Sequence, residues 1–155
     1  MGLNASDIDA AVRQLERYRD DLERKAKLIC YRLADYGARR ADIRFSTALY
    51  DGQNDVQISV EEIDGGYRIC ANGEAVLFIE FGSGVTYGYG HPDPQGYGPG
   101  TYPGKGHWND PNGWWIPKDA GGGHTYGNPP AMAMYMTAQE LREEVARVAR
   151  EVFRS

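Results

Sequence analysis

His91, His107 and His124, together with Asp93 and Asp110, are the one collection of side chains in this 155-residue chain that could hold a metal or move protons. Metal sites usually show a short-spaced ligand pair such as HxxxH or CxxC. These histidines lie sixteen and seventeen residues apart on a glycine-rich segment, and His91-Pro92-Asp93 reads as a turn rather than a ligand pair. Ser83, between Gly82 and Gly84, follows an apolar run as a nucleophile would, but a nucleophile elbow needs GxSxG with a helix directly after it, and Val85-Thr86-Tyr87-Gly88 supplies neither. Glu61 and Glu62 are adjacent, so on a strand they face opposite sides and cannot share a substrate. Cys30 and Cys70 have no CxxC neighbour and read as small buried hydrophobes. Glu80 stands out because it is set in the apolar strand expected from Glu74 to Phe81. Its expected role is a paired charge in an interface or at a strand end. The chemistry-bearing residues therefore point to no catalytic set, no metal and no cofactor.

The elements that would position these residues are legible from periodicity. Asn4 or Ser6 can cap a first helix, with Asp7 and Asp9 in its opening turn. Ile8, Ala11, Val12, Leu15, Leu22, Ala26, Ile29 and Leu33 then recur at steps of three and four, giving an apolar stripe that should end near Gly37. A coiled-coil seam is conceivable along it, interrupted by Arg19; a helix lying across a sheet is the preferred reading. Alternation predicts strands at Ile43-Phe45-Thr47, Val56-Ile58-Val60 and, after the Asp64-Gly65-Gly66 turn, Tyr67-Ile69-Ala71. Asn72-Gly73 reads as another hairpin turn into Glu74 to Phe81, a strand apolar on both faces and so covered on its second side by another element or subunit. Pro129-Pro130 opens a closing helix with Ala138, Leu141, Val145, Val148, Ala149 and Val152 on its apolar face. The expectation is a single α+β domain of residues 1–155. Its core, residues 1–82 and 129–155, has the long N-terminal helix and the C-terminal helix packed on one face of a 3–4-stranded antiparallel sheet.

Between the two parts of that core lies a segment of different composition. From Gly82 to Asn128 the chain holds fourteen of its twenty glycines, all three tryptophans and all three histidines. Segments this long without regular structure are usually functional or disordered, and disordered ones are poor in aromatics. Residues 83–128 are therefore expected to form a surface arm that orders against another protein, with Tyr97, Tyr102, Trp108, Trp114 and Trp115 as anchors. Only five charged residues occur between Ser83 and Pro130, and residues 41–82 carry eight acidic against two basic groups, a balance that argues against a groove for phosphate backbone. The same aromatics could stack on sugar rings, which makes a carbohydrate-binding or hydrolytic module the alternative. Residues 1–12 have neither the basic nor the apolar region of a signal peptide, and no run approaches ~20 apolar residues, so the chain is expected in a cytoplasm unless a larger particle carries it out.

Four runs then bear on family. Ile79-Glu80-Phe81-Gly82-Ser83-Gly84, Gly98-Pro99-Gly100-Thr101-Tyr102-Pro103, Gly113-Trp114-Trp115 and Gly127-Asn128-Pro129-Pro130-Ala131-Met132, in an order that spans the chain, resemble the neck or tail-completion (head-tail joining) proteins of long-tailed bacteriophages. In that family a strand-end motif is followed by an insertion of variable length, then by a proline and a bulky apolar pair at the head of the last helix. The chain departs from the pattern at Ala131-Met132-Ala133-Met134, where many relatives carry an Arg-Pro-Phe type sequence. The resemblance implies a non-enzymatic virion protein without cofactor, assembled in the host cytoplasm into a homo-oligomeric ring, typically a hexamer, between the head connector or stopper and the tail tube or terminator. DNA would pass its lumen without specific binding, and no membrane is involved. Phe78, Glu80 and Phe81 join the five arm aromatics as the expected interface residues; another minor tail component, such as one at the tip, is the nearest alternative assignment.

Overall fold

In the computed structural model, which describes residues 4–84, 90–93, 96 and 110–154, the chain opens with α1 (Ala5–Ser46), a helix of 42 residues and so about 63 Å long at ~1.5 Å per residue. Asn4 caps it, its side-chain carbonyl accepting the Asp7 N–H at 2.9 Å. The helix runs nine residues past Gly37, where the sequence pattern had placed its end, and takes in Ile43 and Phe45 that alternation had assigned to a strand. Gly37 is a packing position rather than a stop. A Cβ there would lie 2.6 Å from Ile69 Cδ1 and 2.9 Å from Leu141 Cδ1, so the missing side chain lets the hairpin and the last helix close on α1. With Ala34, Ala41 and Phe45 it makes the buried stripe of this half of α1. Alternation over three residues is too short a signal to outweigh that stripe.

β1 (Gln57–Ile63) and β2 (Gly66–Asn72) form an antiparallel hairpin, as the sequence indicated, with Ile58 opposite Ala71 and Val60 opposite Ile69. Its inner face lies on α1: Lys27 Nζ meets the Glu62 carboxylate at 2.7 Å, and the Tyr31 and Tyr67 rings meet edge to face at 5.6 Å. The run after Asn72-Gly73 is not a third strand. It forms a short helix, α2 (Val76–Phe81), whose entry is held by Asp55, which accepts the N–H groups of Glu74 and Ala75 at 2.8 and 2.9 Å. Apolar runs of six to eight residues do not distinguish a buried strand from a buried helix; here a carboxylate nineteen residues upstream decides, by accepting donors that a helix start leaves without partners. The sheet of three or four strands is therefore two sheets of two strands: β1–β2, and β3 (Trp114–Trp115) paired with β4 (His124–Thr125). The fold class remains α+β.

α3 (Ala133–Arg154) packs antiparallel to α1. Contacts step down α1 as they step up α3, from Arg44 with Thr137, through Gly37 with Leu141, to Lys25 over the Phe153 ring at 5.4 Å. Phe45, Ala75, Ile79 and Ala133 close the main core where α1, α2 and α3 meet. Beside it, Glu140 accepts hydrogen bonds from Tyr36 Oη at 2.5 Å, Arg44 Nη2 at 2.6 Å and Arg40 Nε at 3.0 Å. These donors, Tyr36 foremost, lower its pKa to about 2 despite burial. In the unfolded chain the group titrates near its ordinary value of ~4.3. The stabilisation is thus complete above that pH and is lost as pH falls through the folded value. Since part of the network is solvent-exposed, its size is on the order of 2 kcal/mol. Urea unfolding at pH 6 and pH 2 is expected to show the native chain losing about that much more stability than Glu140→Gln; equal losses would remove Glu140 from the acid response.

Candidate binding groove

The segment from 79 to 84 and the segment from 127 to 135 are brought together into one junction. Ser83 and Asn128 form an isolated antiparallel bridge, with N–H to carbonyl distances of 3.0 and 3.1 Å, and the Ser83 hydroxyl donates to Asn128 Oδ1 at 2.5 Å. Asn128 Nδ2 donates to the Phe78 carbonyl, Ala131 N–H to that of Ile79 and Met132 N–H to that of Glu80. The Glu80 carboxylate then accepts the N–H groups of Met134 and Tyr135 at 2.8 and 3.0 Å. It is 6% exposed, and it serves the first turn of α3, where donors lack helical partners and the helix dipole favours negative charge. His91 completes the cluster. Asp93 N–H donates to His91 Nδ1 at 3.0 Å, so the proton resides on Nε2, which faces Glu80 Oε1 at 3.3 Å. The imidazole is enclosed by the rings of Phe81 and Tyr135.

The part of the expected arm from 110 to 128 folds back on the body from this junction. The Thr125 hydroxyl donates to Asp51 Oδ2 at 2.7 Å, and Gln53 N–H donates to the Ala120 carbonyl at 2.9 Å. Between this lobe, the loop at residues 50–55 and α2 opens a groove of about 530 Å³. Its apolar wall comes from Tyr50, stacked on Phe78 at 6.4 Å, and from Trp114, which is buried. Trp115 stands at the rim, 74% exposed, with His124 against its ring and Tyr126 against His124. Asp51, Asp55, Glu74 and Asp119 also line the groove, and no Lys or Arg does among the described residues. The two backbone donors on Asp55 hold its carboxyl below the usual carboxylate range. Such a surface can take a flat apolar group against the aromatics and a cationic or hydroxyl group against the acids. The Ser83 hydroxyl at its edge is spent on Asn128 Oδ1.

The expected interface residues thus divide. Phe78, Trp114 and Trp115 meet in the groove; Glu80 and Phe81 face the junction with α3 instead; Tyr97, Tyr102 and Trp108 lie outside the described residues. Within the chain Glu80 serves the head of a helix, because the run that holds it is helical and turns its carboxylate to α3. Tyr50, Asp51 and Asp55 carried no signal of their own, since their loop has no periodicity to read. Several carboxylates of the acidic segment 41–82 are engaged within the chain: Glu62 with Lys27, Glu61 with Arg68 at 4.0 Å, Asp55 at α2 and Asp51 with Thr125. The chain matches no protein-family model, no curated protein and no solved structure in the comparisons made with each.

Proposed function

We propose that the chain is a structural subunit of the neck or tail-completion ring of a long-tailed bacteriophage. The observation that supports this most is the junction itself. Two of the four runs that carry the resemblance, at residues 79–84 and 127–132, are forty-odd residues apart in sequence and hydrogen-bonded in space. The segment between them thus starts and finishes on one hydrogen-bonded base, an arrangement that suits an assembly protein with a variable arm. The groove lies at the foot of that insertion, and its aromatic rim suits the desolvated core of a protein interface. Its carboxylates would meet basic groups of the neighbouring subunit, the connector or the tube protein.

Light scattering of the purified chain across a concentration series tests the reading. A discrete ring mass, or a monomer moving towards one on concentration, is the expected result; a strict monomer throughout, with no assembly on purified connector or tail-tube rings, would overturn it. The exposed Trp115 beside Asp51 and Asp119 favours one second reading, a sugar-binding platform. Saturable quenching of tryptophan emission by oligosaccharides would identify that instead.

A further inference from the structure

The N-terminal part of α1 is covered by nothing among the described residues. α3 reaches along α1 as far as Lys25, whose Nζ lies over the Phe153 ring at 5.4 Å. Residues 5–20 of α1 are exposed on every side, a projecting rod of about 24 Å at ~1.5 Å per residue. A rod exposed all round has no use for an apolar stripe, yet this one has one. Ile8, Val12, Leu15, Arg19, Leu22, Ala26, Ile29 and Leu33 alternate steps of four and three without a break, the spacing of a coiled-coil seam. Leu22, Ile29 and Leu33 are half-buried on the protein's own body, whereas Ile8, Val12 and Leu15 are uncovered, Leu15 to 68%. The seam starts inside the molecule and continues beyond it.

The residues flanking the seam say what would cover it. Asp9, Glu16 and Glu23 each follow a seam residue, so they line one edge at seven-residue intervals; the other edge carries Ala11, Tyr18 and Lys25. Flanking charges of this kind set partner and orientation. A second copy fits poorly. In an antiparallel pair the acidic edge would lie along its own image, and in a parallel pair Arg19 would sit against Arg19 in the seam. On the free helix Arg19 is held by Asp20 at 2.8 Å and by Glu23 at 3.9 Å.

We infer that residues 5–24 are a docking strip for one helix of a different protein, with an apolar seam, Lys or Arg along the edge that meets Asp9, Glu16 and Glu23, and a carboxylate at the seam position facing Arg19. This goes beyond ring formation, since it assigns a hetero-partner to a surface that the ring reading does not use.

The test uses the full chain and two fluorescein-labelled helical peptides with the same Leu/Val seam and one seam Glu. One peptide carries Lys on its flanks, the other Glu. Fluorescence anisotropy is expected to show saturable binding of the Lys peptide, at least tenfold weaker binding of the Glu peptide, and at least a tenfold loss for both in Leu15→Asp. Leu15 is solvent-exposed, so that variant keeps the native circular dichroism. The triple variant Asp9→Lys, Glu16→Lys, Glu23→Lys is expected to reverse the preference, which separates this strip from the acidic groove. Equal binding of the two peptides, absence of saturable binding, or an unreversed preference in the triple variant would overturn the inference. So would a native dimer that Leu15→Asp converts to monomer, since a second copy would then be the occupant. A ring mass unchanged in Leu15→Asp leaves the ring reading standing whichever way the peptides behave.

Discussion

Glu80→Ala is expected to destabilise the chain by about 3 kcal/mol, read as a fall in the urea midpoint with an unchanged slope. The substitution removes a carboxylate that is 6% exposed and leaves the Met134 and Tyr135 N–H groups, which it accepts at 2.8 and 3.0 Å, without that acceptor at the start of α3. A hydrogen bond to a charged group contributes ~1.5–3 kcal/mol, and a buried donor stranded by truncation costs ~1–3 kcal/mol. Two such bonds are lost together, and they share one helix turn, so the sum is less than additive. Against a total of ~5–15 kcal/mol for a domain, the loss is large. Glu80→Gln keeps the size and one acceptor, and is expected to fall between the two. A Glu80→Ala chain within about 0.5 kcal/mol of the native one would mean that α3 is held by its contact with α1 alone.

The second large effect is expected at Gly127, which has φ +98° and would bring a Cβ to 2.1 Å from the Ser83 carbonyl oxygen. Neither fault can be relieved by a rotamer, because the obstacle is backbone. An L side chain held at such a φ costs ~1–3 kcal/mol, and the collision can be escaped only by opening the Ser83–Asn128 bridge. Gly127→Ala is therefore expected to cost about 3 kcal/mol, with the damage local to the lobe at 110–128. Hydrogen exchange should quicken at Ser83 and Asn128, which donate across the bridge at 3.0 and 3.1 Å. Tryptophan emission should shift to the red as Trp114 leaves its buried site, while the helical circular dichroism of α1 and α3 stays. Uniform loss of protection across α1 as well would show that the junction and the helix pair unfold as one unit.

The hairpin, the first and last helices and the Asn4 cap were legible in the residues, since each rests on contacts close in sequence: period two over seven residues, a stripe at steps of three and four, a side chain reaching three residues ahead. A seam along the first helix stood only as the lesser alternative, interrupted by Arg19, to a helix lying across a sheet, and the exposure of residues 5–20 belongs to the fold. Glu80 could be singled out as an ill-placed charge but not assigned, because its partners are fifty-four and fifty-five residues further along the chain. The run that holds it read as a strand, and it is a helix whose entry Asp55 holds from outside. Gly37 misled for a related reason. Its local meaning is a helix stop, and only the approach of Ile69 and Leu141 makes it a crossing point. The residues alone therefore establish the α+β class, the unusual composition of residues 82–128 and the two runs that meet at its base. Tertiary structure alone decided that those runs join, that 110–128 folds onto the body, and that Tyr50, Asp51, Phe78 and Trp115 share one groove. Loops carry no periodicity, and a hydrogen bond between residues 83 and 128 leaves no trace in the spacing of either.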